Sequence, residues 1–243
     1  MPHLPTSDGR QPWRAHVLTL FPEAFPGPLG VSLAAQARNA RIWSLDTTQL
    51  RDFGLGKHRQ VDDTPAGGGA GMVLRADVLG PALDHAQNLN PEAPLIYLSP
   101  RGTPLTQGLA RDLAQGPGVT LLAGRFEGID ERVIAAKGLK EISIGDYVLA
   151  GGEVAAMVLI EACVRLLPGV VGTSESLTTE SFEMGLLEYP QFTKPRDWDG
   201  RSIPDVLLSG DHKKIETWRR EQSERLTADR RPDLLRSRGQ KPT

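Results

Sequence analysis

The sequence predicts an α/β protein with a mostly parallel sheet and helices on both of its faces. Short apolar runs of strand length alternate with longer segments in which apolar residues recur at helical spacing. This alternation is typical of parallel sheets, because parallel strands are joined by crossover helices that cover the sheet. A chain of 243 residues has room for a core domain of roughly 150 residues and a smaller second domain.

The apolar runs that predict strands lie at residues 16–21, 41–45, 95–100, 119–123 and 142–149. The segments that predict helices lie at residues 33–38, 76–89, 105–113, 153–167 and 213–225, with a further short helix from Pro232. Ser32 and Thr106 stand where N-cap residues stand, at the start of a helix. Pro100 is expected to end the strand that leads to it.

Two of the predicted strands run into glycine loops. Residues 119–123 end at Gly124, and residues 142–149 end at Gly151 and Gly152. Open α/β sheets bind ligands at the carboxyl ends of their strands, and glycine lets the backbone approach a ligand closely. The sequence therefore predicts a binding site at this edge of the sheet, and the alternative is that both loops are plain tight turns.

Residues 51–72 are the least regular part of the predicted core. They are not a phosphate-binding loop, because Gly56-Lys57 is followed by His58 and not by Ser or Thr. They are not a dinucleotide fingerprint, since Met72 stands where the third glycine belongs. Two interpretations stay open, a glycine hinge that carries Lys57, His58 and Arg59 to an anionic ligand, and an ordinary exposed loop.

Composition excludes several classes of protein. The apolar content of 39% with mixed charge indicates an ordered chain. No apolar run reaches the roughly 18 residues of a membrane helix and the first residues do not resemble a signal peptide, so we expect no membrane partner and a cytoplasmic location. Cys163, the single cysteine, lies in an apolar helix and is expected to be a packing residue. The five histidines show no metal-ligand spacing, so no metal site is predicted.

The predicted helix at residues 153–167 is apolar on nearly every side. Such a helix is buried in a core or against a partner subunit. Arg165 stands in its last turn, where it can pair with Glu161 one turn earlier or point into a cleft toward an anionic or acceptor group. Both interpretations stay open on these grounds.

The last third of the chain changes in character. Residues 170–202 are rich in Gly, Ser, Thr, Pro and acids and show no periodicity, which indicates an interdomain linker or a functional lid. From Asp211 onward, ten Lys or Arg face six Asp or Glu on a chain whose net charge is −2. This asymmetry is typical of a polyanion-binding tail, and a solvated helix with salt bridges is the alternative.

The segments Gly124-Arg-Phe-Glu-Gly-Ile-Asp-Glu-Arg132 and Ser143-Ile-Gly-Asp-Tyr-Val-Leu-Ala-Gly-Gly-Glu153 closely resemble the signature of the bacterial tRNA (guanine-N1-)-methyltransferases, knotted enzymes of the SPOUT class. Further short segments that match the family continue along nearly the whole chain, at residues 18–23, 61–63, 67–72, 96–100, 165–169, 181–182, 206–210 and 231–235. The resemblance implies a deep trefoil knot in an α/β domain, a small all-α carboxyl-terminal domain, and a homodimer with shared active sites. It divides the chain into a knotted cofactor-binding domain at residues 1–170, a linker or lid at 171–202, and a helical tRNA-binding domain at 203–243.

The same resemblance implies a reaction. These enzymes transfer a methyl group from S-adenosyl-L-methionine to N1 of the guanosine at position 37 of tRNA, just 3′ of the anticodon, and the tRNA partner is expected to bind through its anticodon arm. Carried over residue by residue, the cofactor pocket consists of Ser99, Pro100, Gly124, Glu127, Ile144, Gly145, Asp146, Tyr147, Val148, Leu149, Gly151 and Gly152. The resemblance leaves open a part for Mg²⁺.

Two catalytic residues are implied by the family's pattern. Its general base, which removes the proton from guanine N1, falls on Glu180, and the arginine that stabilises charge on guanine O6 falls on Arg165. The sequence departs from the family's pattern at Glu180, where the family has aspartate. The longer side chain of glutamate moves the carboxylate by roughly one bond length. Ala66 likewise replaces a usual aromatic. The competing hypotheses are a related knotted methyltransferase that acts on ribosomal RNA and a non-catalytic RNA-binding protein, the latter motivated by Glu180.

Overall fold

A computed structural model describes residues 11–171 and 180–238 of the chain. Contacts divide the chain into two compact units, Met1–Gly172 and Thr173–Thr243. The first unit contains the predicted sheet and the glycine loops.

The sheet of the first unit has five strands, all parallel, in the order β2-β1-β6-β5-β7. The strands of this unit are β1 (Trp13–Thr19), β2 (Trp43–Gln49), β3 (Asp62–Asp63), β4 (Val73–Leu74), β5 (Leu95–Pro104), β6 (Gly118–Leu122) and β7 (Lys140–Ser143). β6 lies at the centre and is buried along its whole length. β3 and β4 form a separate two-stranded hairpin that encloses the glycine-rich residues 64–72.

Helices cover both faces of the sheet, as predicted. The helices of the first unit are α1 (Ser32–Asn39), α2 (Ala76–Leu89), α3 (Gln107–Gln115), α4 (Glu131–Lys137) and α5 (Glu153–Val164). Alternate residues of β1 enter different cores, since Val17 packs with α1, α3 and α5 whereas Leu18 packs with α2 and α4. The fold class predicted from strand and helix alternation is therefore confirmed.

Three local predictions are wrong, each for a physical reason. Ser32 has a φ of 54° and does not cap α1, whose N-cap is Val31 without a side-chain cap bond. β5 continues past Pro100 to Pro104 through an irregularity in its pairing with β7, where a proline without an N–H is tolerated. The strand predicted at residues 142–149 ends at Ser143, and the apolar residues that follow line a cavity instead of a sheet. Thr106, by contrast, does cap α3, because its hydroxyl accepts from Leu109 N at 3.2 Å.

The described part of the second unit contains a small hairpin and three helices. They are β8 (Asp197–Trp198), β9 (Arg201–Ser202), α6 (Asp205–Leu208), α7 (His212–Arg230) and α8 (Pro232–Arg238). Asp211 caps α7 by accepting from Lys214 N at 3.2 Å. Thr227 of α7 accepts from Leu187 N at 2.8 Å, so residues before the hairpin are held against this helix. The knot, and the assignment of residues 171–202 as a lid, stay predictions.

Candidate functional site

The two glycine loops meet at one edge of the sheet, where they enclose a cavity of about 210 Å³. The cavity lies beside β5 and beyond the ends of β6 and β7, which is where an open α/β sheet binds its ligand. It has room for on the order of a dozen water molecules. A small organic ligand would therefore fit.

The structure brings the predicted pocket residues together around this cavity. Eleven of the twelve line it, and Asp146 lies between two of them in the chain. The lining residues from that set are Ser99, Pro100, Gly124, Glu127, Ile144, Gly145, Tyr147, Val148, Leu149, Gly151 and Gly152. Their part in binding a cofactor stays a prediction, but their common location comes from the fold.

The turn after β7 is closed by its own side chains. Ser143 Oγ donates to Gly145 O at 3.1 Å, and Tyr147 OH donates to Ile144 O at 3.1 Å. The ring of Tyr147 covers Gly145, where a Cβ atom would lie 2.5 Å from the ring. Because local hydrogen bonds compete with sheet pairing, this turn holds Ile144 and the residues after it at the cavity wall.

Gly152 allows the two loops to touch. Its N–H donates to Gly124 O at 2.8 Å, and a Cβ atom on it would lie 2.7 Å from Ala123 Cα. Gly151 forms an isolated antiparallel bridge with Arg125. The sequence therefore has glycine here because two backbones cross in contact. The predicted close approach to a ligand stays a prediction.

Several residues near the cavity were not among the predicted site residues. Tyr97 is buried beneath Gly124 and Gly128, and burial raises the pKa of its hydroxyl. Arg125 lines the cavity and forms an ion pair with Glu153, with 2.9 Å between Nη2 and Oε2. Glu153 ends the second signature segment, but the sequence gives no sign of its pairing with Arg125, because an acid in the first turn of a helix is favoured by the helix dipole alone.

The glycine-rich segment also reaches this site. Glu127 N donates to Met72 O at 2.9 Å, and a Cβ on Gly71 would lie 2.4 Å from the Glu127 carboxylate. Earlier in the chain, Leu55 and Gln60 exchange two backbone hydrogen bonds of 2.9 Å and close a tight hairpin. The residues at its tip, including Lys57 and His58, are exposed, so either interpretation of this segment is still open.

The two predicted catalytic residues lie in different units. Arg165 is half-buried and follows the last turn of α5. Glu180 is half-buried in the second unit. Arg165 comes twelve residues after Glu153, which corresponds to about 18 Å along a helix, so α5 carries it away from the cavity that its first turn borders.

Other chemistries find no support among the described residues. Cys163 is fully buried, and burial raises the pKa of its thiol to about 12, which agrees with a packing role. Within residues 11–171 and 180–238, no group of three His, Cys, Asp or Glu is placed to hold a metal ion. No helix in these ranges is long and apolar enough to cross a bilayer.

Comparison with known proteins identifies the family. Residues 13–237 match the model of the family described as tRNA (Guanine-1)-methyltransferase TrmD. The chain is 63% identical over 226 residues to the tRNA (guanine-N(1)-)-methyltransferase of Nitrobacter winogradskyi, covering 93% of this chain and 94% of that one. It is 60% identical over 223 residues to the enzyme of the same name from Mesorhizobium japonicum, covering 92% and 96%. The chain belongs to the TrmD family.

Membership in the TrmD family confirms the resemblance read from the two glycine motifs and makes the chain a methyltransferase. A TrmD methyltransferase uses S-adenosyl-L-methionine. The lining of the cavity suits such a ligand, because it combines apolar side chains such as Leu98, Ile144 and Leu149 with backbone groups at the glycines. Gly124 and Gly152 carry no side chain, so the part of the cavity wall that they form is backbone alone.

Proposed function

We propose that this TrmD-family protein transfers a methyl group from S-adenosyl-L-methionine to N1 of the guanosine at position 37 of tRNA. The observation that carries the proposal is the meeting of both signature loops at one cavity, which joins the family's sequence pattern to a physical binding site. The cofactor would then be held at the carboxyl edge of the sheet.

The proposed cofactor pocket is the 210 Å³ cavity. When bound there, S-adenosyl-L-methionine supplies a methyl group on a positively charged sulfur. Ile144 and Leu149 would pack on the adenine, and the backbone of Gly124 and Gly152 would approach it closely. The contribution of the pocket is orientation, since an in-line displacement depends on how well the reacting atoms are aligned.

Glu180 is the proposed general base and Arg165 its electrostatic partner. Guanine N1 carries a proton at neutral pH, so a carboxylate must accept this proton for the nitrogen lone pair to attack the methyl carbon. The positive charge of Arg165 would stabilise the negative charge that grows on guanine O6 as the proton leaves.

A homodimer is part of the proposal. α5 places Arg165 about 18 Å from the first turn that borders the cavity, and in the proposed homodimer the arginine of a second copy serves each pocket. Val154 and Val158 on α5 are 56% and 43% exposed, and Val31 and Leu33 before and in α1 are exposed as well. Apolar side chains of this size in one region are typical of a subunit interface.

The second unit is proposed to bind the anticodon arm of the tRNA, and the protein to act in the cytoplasm. α7 carries Lys213, Arg225 and Arg230, which form no ion pair with other described residues. Unpaired cations on one helix attract a phosphate backbone. A part for magnesium stays open.

The test of the proposed function is methylation of a defined RNA. Purified protein with labelled S-adenosyl-L-methionine should convert a tRNA bearing guanosine at position 37 to the 1-methylguanosine form. The matched tRNA with adenosine at that position should accept no methyl group. Transfer to ribosomal RNA alone, or tRNA binding without transfer, would overturn the proposal.

The role of Glu180 is tested by Glu180→Gln. The amide cannot accept the N1 proton, so we expect turnover to fall by at least about a hundredfold, while cofactor affinity measured by calorimetry stays at the wild-type value. Glu183→Gln, three residues away, is the matched control and should leave turnover unchanged. Full activity of the Glu180 variant would assign the base to another residue.

A further inference from the structure

An ion pair links the two loops that form the cavity. Arg125 directly follows Gly124 at the end of β6, and Glu153 directly follows Gly152 at the start of α5. The Nη2 atom of Arg125 lies 2.9 Å from Oε2 of Glu153. Residues 28 positions apart in the chain are thus joined across the cavity wall.

Glu153 is buried, with 3% of its surface exposed. Its Oε2 atom makes the ion pair with Arg125 but accepts no hydrogen bond. Oε2 faces Arg125, and Oε1 accepts a hydrogen bond of 2.7 Å from the hydroxyl of Thr19 at the end of β1. The same Thr19 oxygen accepts from Phe21 N at 2.9 Å. A buried carboxylate needs such partners, because an unpaired charge in the interior is costly.

Arg125 is held on three sides. It pairs with Glu153, donates from Nη1 to Ala150 O at 3.3 Å, and lies 4.5 Å above the centre of the Phe21 ring. It also crosses Gly151 so closely that a Cβ there would lie 2.2 Å from its Nε atom. The guanidinium therefore binds the backbone of the loop at residues 150–152 while its own residue lines the cavity.

Stability alone does not account for this arrangement. A buried ion pair returns little net stability, and a well-packed apolar pair of similar volume usually serves as well or better. An apolar pair could not donate a directional hydrogen bond to Ala150 O, as Arg125 does. It could not accept one from the hydroxyl of Thr19 either, as Glu153 does. Thr19, Glu153 and Arg125 therefore connect β1, the loop before α5 and the loop after β6, and we call these three residues the brace.

We propose that Glu153 is a positioning residue for the cofactor pocket and acts through Arg125. This inference rests on the proposed use of S-adenosyl-L-methionine in the cavity. Glu153 fixes the guanidinium, and the guanidinium fixes residues 150–152 against Gly124. Without the brace the loop is free to shift by a fraction of an ångström, which is enough to weaken a ligand held by backbone contacts.

The test separates positioning from folding by means of a charge-balanced double variant. Arg125→Met alone leaves Glu153 buried and unpaired, so both the unfolding temperature and the affinity for S-adenosylhomocysteine should fall. Arg125→Met combined with Glu153→Gln removes the unpaired charge. We expect the unfolding temperature to recover while the affinity, measured by calorimetry, stays at least about tenfold below the wild-type value.

Arg125→Lys gives a second, independent measurement. It keeps a positive charge beside Glu153 and should unfold near the wild-type temperature, but a lysine ammonium lacks the planar guanidinium that bonds to Ala150 O and pairs with Glu153 through two different nitrogens. Its affinity should also fall about tenfold. Wild-type affinity in either the double variant or Arg125→Lys would overturn the proposal, and the lysine variant decides if the double variant fails to fold.

The matched control is the ion pair between Lys137 and Asp84, which joins α4 to α2. Lys137→Met with Asp84→Asn should leave the affinity for S-adenosylhomocysteine unchanged. An equal loss in this control would show a general effect of removing ion pairs and would contradict a positioning role. If the wild-type protein itself binds no S-adenosylhomocysteine, the proposed function fails, and that outcome is distinct from failure of the brace.

Discussion

At the scale of single residues, His16 predicts how stability depends on pH. Its ring is buried in β1, with Nε2 2.7 Å from the hydroxyl of Thr48. The pKa of His16 is lowered from 6.5 to about 4, chiefly by burial; Asp46 opposes the shift, and the charge of Arg14 adds to it. The unfolded chain takes up this proton near pH 6.5, so the stability that is complete above pH 6.5 is lost as the pH falls toward 4.

We expect this effect to remove up to about 3 kcal/mol of the free energy of unfolding between pH 6.5 and 4. Urea denaturation at several pH values would measure it. His16→Gln should flatten the pH dependence in that window, whereas His58→Gln, at an exposed site, should not. Parallel pH curves for wild type and His16→Gln would show that another group is responsible.

The thiol of Cys163 should be unreactive in the folded protein. It is fully buried and burial raises its pKa to about 12, so almost no thiolate exists at neutral pH. A thiol reagent at pH 8 should label the chain only after unfolding in urea, with one equivalent per chain. Rapid labelling of the native protein would mean that α5 opens locally around this residue.

At the scale of elements, the contact between the two glycine loops can be tested by Gly152→Ala. The added methyl group would meet Ala123 Cα at 2.7 Å, and backbone atoms cannot yield as a flexible side chain can. We expect a loss of about 1–3 kcal/mol of stability from overpacking and weaker binding of S-adenosylhomocysteine by calorimetry.

Gly80→Ala is the control for this prediction. Gly80 lies in α2, and the nearest atom to an added Cβ is 3.9 Å away at the end of Lys137. Alanine should stabilise the helix by up to about 1 kcal/mol without changing cofactor affinity. Unchanged affinity in Gly152→Ala as well would show that the loops can separate without harm to the pocket.

The same elements show how much the sequence can predict. α2 begins and ends where its periodicity predicts, because its apolar residues form one regular face that is buried in a single core. The apolar run at residues 142–149 predicts a strand, since periodicity does not distinguish residues buried in a sheet from residues that line a cavity. That distinction is made by the hydrogen bonds of Ser143 and Tyr147, which local propensity does not reveal.

The meeting of the two glycine loops at one cavity was predictable, but the contacts within that cavity wall were not. Strands that end in glycine fix the edge at which a ligand binds. The partnership of Arg125 with Glu153, and of Glu153 with Thr19, joins segments far apart in the chain, so it depends on the three-dimensional path of the chain. The roles of Glu180 and Arg165 rest on the family's pattern alone.

At the scale of the whole molecule, the proposed homodimer predicts that Arg165 of one chain serves the pocket of the other. Two variants test this. Leu149→Trp places a large ring in the cavity from a partly exposed position, which should block cofactor binding without burying a charge. Arg165→Met removes the electrostatic partner but leaves the pocket intact. Each variant alone should be inactive.

Mixed dimers of the two variants should recover activity. In a mixed dimer, the intact pocket of the Arg165→Met chain would be served by the arginine of the Leu149→Trp chain. Random pairing at equal amounts makes about half of all dimers mixed, each with one of its two sites complete, so about a quarter of the wild-type activity should return. If each arginine serves the pocket of its own chain, no complete site exists in any dimer and the mixture stays inactive. Sedimentation of the mixture and a pull-down of a tagged chain would confirm that mixed dimers have formed. An inactive mixture that contains mixed dimers would then contradict shared sites.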